Sequence, residues 1–303
     1  MSAHAGNGPD KRINCIFSRC RRFKDYDVFA RQKNSTFRSS KAAILELAAR
    51  YRAVITESAA AKDTASELLL FMEMCEVCLW GNATDLSLLT SLTYEDIQML
   101  QGSQARKTKS KNVLVNDLPA AFETLKDAQI ENPSGGRIDI VLDNAGFELY
   151  VDFLLAGFLL SSGLASKVVF HPKSIPWFVS DVVPADFTYL LSALAEPEKF
   201  FGGSEACVGS ESQASLTEKE TDDLFFLWEQ WNGFLQAGKM VIREDAFWTT
   251  GGCFWRLPYI APDLFTELKE SELVLFKGDL NYRKLTGDVC PTYLSQLCRD
   301  YRS

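Results

Sequence analysis

The chain has 303 residues, enough for one or two domains at roughly 150 residues each. Hydrophobic residues make up 47% and charged residues 24%, which excludes collagen, a coiled coil and wholesale disorder. The net charge of −8 divides into a basic stretch, residues 1–52 with 12 Lys+Arg against 4 Asp+Glu, and an acidic remainder with 20 against 36; an acidic body argues against nucleic acid as a partner.

Residues 1–24 read as an irregular basic head. It lacks the basic-then-apolar pattern of a signal peptide, so the expected location is the cytoplasm. Residues 25–101 read as a helical region. Over 27–57, Phe29, Ile44, Leu45, Leu47, Ala48 and Tyr51 form an apolar stripe, and 63–80 repeats the helical spacing. Cys75 and Cys78 form a CxxC inside that second helix, but no second pair follows at zinc spacing. They read as small apolar residues, and all eight cysteines as reduced thiols. The polar stretch 102–111 breaks the periodicity and reads as a linker.

Residues 112–303 change character. Short apolar runs at 113–115, 138–142, 168–170, 240–242 and 273–276 read as strands. Helical patterns at 122–129, 148–162, 224–235 and 261–269 lie between them. This alternation predicts an α/β fold, a parallel sheet with helices on both faces. The stretch 202–221 is rich in Ser, Gly and Glu, has no period, and reads as a mobile insertion. No apolar run reaches the ~18 residues of a membrane helix; the longest, 149–160, is cut by Asp152, so no membrane partner is expected.

In such a sheet, ligands bind at the C-terminal ends of the strands. The 138–142 run leads into Asp143, Asn144 and Glu148. The 168–170 run leads through Lys173 and Trp177 to Ser180 and Asp181, the 240–242 run to Arg243, Glu244 and Asp245, and the 273–276 run into Lys277, Asp279, Asn281, Arg283 and Lys284. Clustered carboxylates with few histidines suit a hard divalent cation such as Mg²⁺ or Mn²⁺. Lys and Arg beside that cation are what a phosphate ester requires. Taken singly, each element also reads as a turn or a helix cap. Their recurrence at successive strand ends is what suggests a site.

Four ordered motifs carry a resemblance: WGNATDLS at 80–87, DNAGFE at 143–148, IPWFVSD at 175–181 and FKGDLNYRKLTGD at 276–288. Together they resemble the damage-control phosphatase family, in its sugar-phosphate branch (subfamily III), which is acidic-residue-methyltransferase-like. The resemblance implies a three-layer αβα sandwich with a mostly parallel sheet and an N-terminal helical part. It implies Asp143, Asn144 and Asp181 as ligands of Mn²⁺, Ni²⁺, Co²⁺ or Mg²⁺, with Glu148 facing the substrate. It implies Lys277, Asp279, Asn281 and Arg283 beside the pocket, with Asn82 and Asp85 closing it.

The expected activity is metal-dependent hydrolysis of small phosphorylated sugars such as fructose 1-phosphate and fructose 6-phosphate. The catalytic set is Asp143, Asn144 and Glu148. Two alternatives stand beside it. One is a carboxyl methyltransferase using S-adenosylmethionine, although no glycine-rich loop follows 113–115. The other is a shortened, inactive paralogue: the resemblance implies an RTxK motif after FKGDLNYRKLTGD, and 289–303 contains none.

Overall fold

The computed structural model describes residues 26–60, 63–81, 113–133, 135–202 and 215–287. Helices α1 (Ala30–Ser39), α2 (Lys41–Ala60) and α3 (Thr64–Leu79) come first. The helical pattern of 27–57 is broken at Ser40, whose N–H closes on the Phe37 carbonyl before α2 begins. Asp63 caps α3 by accepting from the Ser66 N–H at 2.8 Å. Helix α4 (Leu118–Glu131) follows, with a proline in its first turn.

The run 113–115 is not a strand. Leu114 and Val115 are 97% and 74% exposed, and neither pairs with any strand of the sheet. The remaining elements alternate: β1 (Gly136–Val141), α5 (Phe147–Ser161), β2 (Ala165–His171), α6 (Pro184–Ala195), α7 (Pro197–Gly202), α8 (Glu218–Gln236), β3 (Met240–Ile242), α9 (Leu257–Ile260), α10 (Pro262–Leu268), β4 (Ser271–Phe276) and α11 (Gly278–Thr286). Of the supposed insertion 202–221, residues 203–214 lie outside the described residues. Its end is ordered: Thr217 and Glu220 form a capping box that starts α8.

Among the described residues the four strands are all parallel, in the order β3-β2-β1-β4. The chain steps outward from β1 to β2 to β3, then returns to the other side of β1. The switch point therefore lies between β1 and β4, where a ligand crevice is expected. Helices surround the sheet, as the α/β sandwich requires.

Helix α5 is buried all round from Phe147 to Leu160, as a helix enclosed between a sheet and further helices must be. Gly157 makes that enclosure possible, because a methyl there would collide with the Tyr51 hydroxyl and the Trp231 indole. Phe37, Ile44, Tyr51 and Phe71 of α1–α3 share one core with Ile138, Ile140, Val168 and Phe170 of the sheet. The opposite face carries a smaller cluster, Val141, Phe247, Trp248, Phe254, Leu257, Leu264 and Leu268. On that face Asp139 is fully buried. His171 Nε2 lies 2.6 Å from it, Arg137 donates at 2.7 and 2.8 Å, and the Ser271 hydroxyl donates as well. Burial opposes its charge, but these bonds outweigh burial and hold the carboxyl below the ordinary aspartate range.

Candidate active site

Asp143 lies two residues past β1, and Gly278 two residues past β4, on the two sides of the switch point. The loop after β2 is zipped to the loop after β1. Val182 N–H donates to the Asp143 carbonyl at 2.9 Å and Ala145 N–H to the Ser180 carbonyl at 2.7 Å; Asn144 and Asp181 form an isolated antiparallel bridge. Backbone pairing thus brings Asp143 and Asn144 beside Asp181. Gly278 comes so close that any side chain there would strike the Asp143 carboxylate, and its φ of +81° is one that glycine adopts freely.

The local electrostatics are unbalanced. Burial pushes the Asp143 carboxyl up to about 7, and the charges of Glu148 and Asp181 push the same way against Lys173. Burial also raises Glu148 and Asp181. Lys173, 1% exposed, is itself lowered by burial although Asp181 and Asp143 oppose that shift. Asn144 is pinned on both ends: its Nδ2 donates to Asp143 Oδ2 at 2.7 Å and Glu148 Oε2 at 2.8 Å, and its Oδ1 accepts from Ser180 Oγ at 2.6 Å.

A cavity of about 720 Å³ opens over these groups. Asp143, Asn144, Glu148, Asp181, Asp279 and Arg283 line it. Lys277 and Asn281 do not. The Lys277 ammonium lies beneath, 2.7 Å from Asp152 Oδ1, 3.4 Å from Glu148 Oε1 and 3.3 Å from Cys78 Sγ. Burial works against that charge, but Asp152, Cys78 and Glu148 outweigh it and hold the lysine well above its ordinary range. Asn281 is fully buried and braces the switch point. It donates to the Leu142 and Lys277 carbonyls at 3.1 and 2.7 Å and accepts from Lys173 Nζ at 3.2 Å. Asn82 and Asp85 lie outside the described residues; Gly81, just before them, lines the cavity.

Another part of the lining comes from α1 and its C-cap, which the motifs do not include: Lys33, Thr36, Ser39 and Ser40. Lys33 is buried and ion-paired to Asp27 at 2.7 Å and Asp186 at 2.9 Å, which staples α1 to the start of α6. The available signal was Phe37, one turn after Lys33 on the same inward face; the partner Asp186 is too distant in sequence to be inferred. Asp152 was visible only as an interruption in an apolar helix.

Two carboxylates raised by burial, Asp143 further by the charges of Glu148 and Asp181, stand beside an amide oxygen and form a donor set that a divalent cation would relieve. Among the described residues no group of three or more His, Cys, Asp or Glu side chains forms a metal cage. Asp143, Asn144 and Asp181 are two carboxylates and one amide, a set that leaves open positions for water and substrate.

The family model for the damage-control phosphatase ARMT1-like domain matches residues 11–297. Damage-control phosphatase ARMT1 of Xenopus laevis is 37% identical over 269 residues, 87% of this chain and 55% of that protein. The proteins of that name from Danio rerio and Homo sapiens are each 35% identical, over 271 and 268 residues, 87% of this chain and 54% of theirs. The chain spans about half the length of these relatives.

Proposed function

The chain belongs to the damage-control phosphatase family, and from that membership we propose that it hydrolyses small sugar phosphates, such as fructose 1-phosphate and fructose 6-phosphate, with a divalent metal. The observation that carries this reading is the meeting of Asp143, Asn144 and Asp181 at the switch point, under a cavity of ligand size.

Asp143, Asn144 and Asp181 would hold Mn²⁺, Ni²⁺, Co²⁺ or Mg²⁺. When bound, such an ion polarises the phosphoryl oxygens and lowers the pKa of a water. Arg283 and the first N–H groups of α11 face the phosphate and favour its charge, while the Asp279 carboxylate at the same helix end, 3.7 Å from Arg283, offsets part of that. Glu148 accepts a hydrogen bond from a sugar hydroxyl or a proton from the attacking water. Lys277, under Glu148 and Asp152, neutralises the second row of carboxylates, and Asn281 holds the two strand ends together. The cytoplasm suits the free thiols at Cys75, Cys78 and Cys253; among the described residues no helix is long and apolar enough to cross a membrane.

Phosphate release from a panel of hexose phosphates, with each of the four metals and with EDTA, tests the reading. Release with metal that disappears on chelation is expected. Release that survives thorough chelation removes the metal from the reaction, and no release from any ester removes the phosphatase reading.

A further inference from the structure

The part of the cavity lining that α1 supplies is built differently from the part that carries the carboxylates. Thr36, Ser39, Ser40 and Lys33 line it, all from α1 or the serine that caps it. Each hydroxyl has a single proton, and each proton is already used. Thr36 Oγ1 donates to the Gln32 carbonyl at 2.7 Å, Ser39 Oγ to the Thr36 carbonyl at 2.7 Å, and Ser40 Oγ to the same carbonyl at 3.2 Å. What remains on each oxygen is acceptor capacity. Lys33 carries three N–H donors, of which Asp27 and Asp186 take two, and the two carboxylates leave its surroundings with a net negative charge.

Such a wall repels a phosphate, which offers mainly lone pairs, and suits a polyol, whose hydroxyls are donors. The cation-favouring carboxylates, Arg283 and the α11 end line the same cavity from the loops after β1, β2 and β4. We propose that Thr36, Ser39 and Ser40, with Lys33, form the subsite that receives the hydroxyls of the sugar and so points the phosphate at Asp143 and Asp181. This rests on the sugar-phosphate reading above and names the residues that select the sugar. It also gives the Lys33–Asp186 pair a purpose beyond packing, since that pair fixes α1 over the site.

The hydroxyls are half-buried or exposed, so the combined variant Thr36→Val, Ser39→Ala, Ser40→Ala is expected to fold. Calorimetry on the 303-residue chain with Mn²⁺ present would compare the phosphonate analogue of fructose 6-phosphate, whose P–C bond is not hydrolysed, with inorganic phosphate. The wild type should prefer the sugar phosphonate. The triple variant should lose roughly tenfold of that preference, as expected for two or three neutral hydrogen bonds lost at modest value each. A wild type that binds both ligands alike, or a variant whose preference stays within about twofold of wild type, overturns the inference. Phosphate release from fructose 6-phosphate, measured separately on the same two proteins, separates the two readings. Turnover with an unchanged preference sinks the subsite alone, whereas a lost preference without turnover upholds the subsite and sinks the phosphatase.

Discussion

Lys277 Nζ lies 2.7 Å from Asp152 Oδ1, below the candidate site rather than inside it. The sequence motif places Lys277 next to the pocket; the fold turns it toward Asp152 of α5, whose Oδ1 accepts from both Lys277 Nζ and Cys78 Sγ and whose Oδ2 has no hydrogen-bond partner. Removing the lysine would leave Asp152 buried, charged and held only by the Cys78 thiol. Lys277→Ala should therefore cost about 3–5 kcal/mol of stability, far more than removing an exposed lysine. Replacing both partners, Asp152→Leu with Lys277→Met, should recover a large part of that loss. Urea denaturation of the two variants decides it, and a Lys277→Ala protein as stable as wild type would mean that the ion pair contributes nothing.

The raised carboxyl of Asp143 predicts how metal-free stability depends on pH. Its folded pKa, about 7, stands above the ordinary aspartate value. Between about pH 4 and 7 the folded protein therefore holds a proton that the unfolded chain has lost, and stability falls as pH rises through that window. In EDTA the protein should be more stable at pH 5.5 than at pH 8 by this group's contribution, on the order of 1–2 kcal/mol after allowing for solvent. Asp143→Asn should remove that difference and abolish metal-dependent turnover. The same proton competes with the metal, so apparent metal affinity should weaken below about pH 7. Melting curves across pH, with and without Mn²⁺, check both signs.

Much of this arrangement was legible in the sequence because strand ends concentrate it. The runs 138–142, 168–170, 240–242 and 273–276 are strands within a residue or a few of their observed bounds, and Asp143, Asn144 and Asp181 follow two of them as the motifs require. The false strand at 113–115 shows the limit of a short apolar run: three residues carry no period, and only the sheet's edges decide whether they pair. The α1 wall and the Asp152–Lys277 pair were illegible for another reason. Lys33 finds Asp186 and Lys277 finds Asp152 across more than a hundred residues, and no local pattern encodes such a contact.

Gly278 should tolerate no side chain. Alanine there would adopt a left-handed φ and push its methyl into the Asp143 carboxylate. The backbone cost is about 1 kcal/mol, and the displaced carboxylate adds to it. Gly278→Ala is therefore expected to weaken metal binding at least tenfold while leaving most of the fold intact, as seen by titrating Mn²⁺ against the apo protein. Unaltered Mn²⁺ affinity would place Asp143 away from the metal.

Glu148 joins two roles that the sequence kept apart. In the proposed reading it faces the substrate from the first turn of α5. In the structure its Oε2 also accepts from Asn144 Nδ2, and its Oε1 lies over Lys277. Glu148→Ala would release the amide of Asn144 and leave Lys277 with one fewer counter-charge. Both a sugar phosphate and a plain aryl phosphate should then lose turnover, by the ~10–100-fold typical of losing a group that orients a metal ligand, with the sugar phosphate losing more because Glu148 also faces its hydroxyls. Glu148→Gln keeps an oxygen that can accept from Asn144, so it should recover aryl phosphate turnover more fully than sugar phosphate turnover. Steady-state rates for the two substrates, at saturating Mn²⁺ and again at limiting Mn²⁺, separate the contributions. An Ala variant that loses only sugar phosphate turnover, with Mn²⁺ affinity intact, would show that the bond to Asn144 does not support the metal ligand.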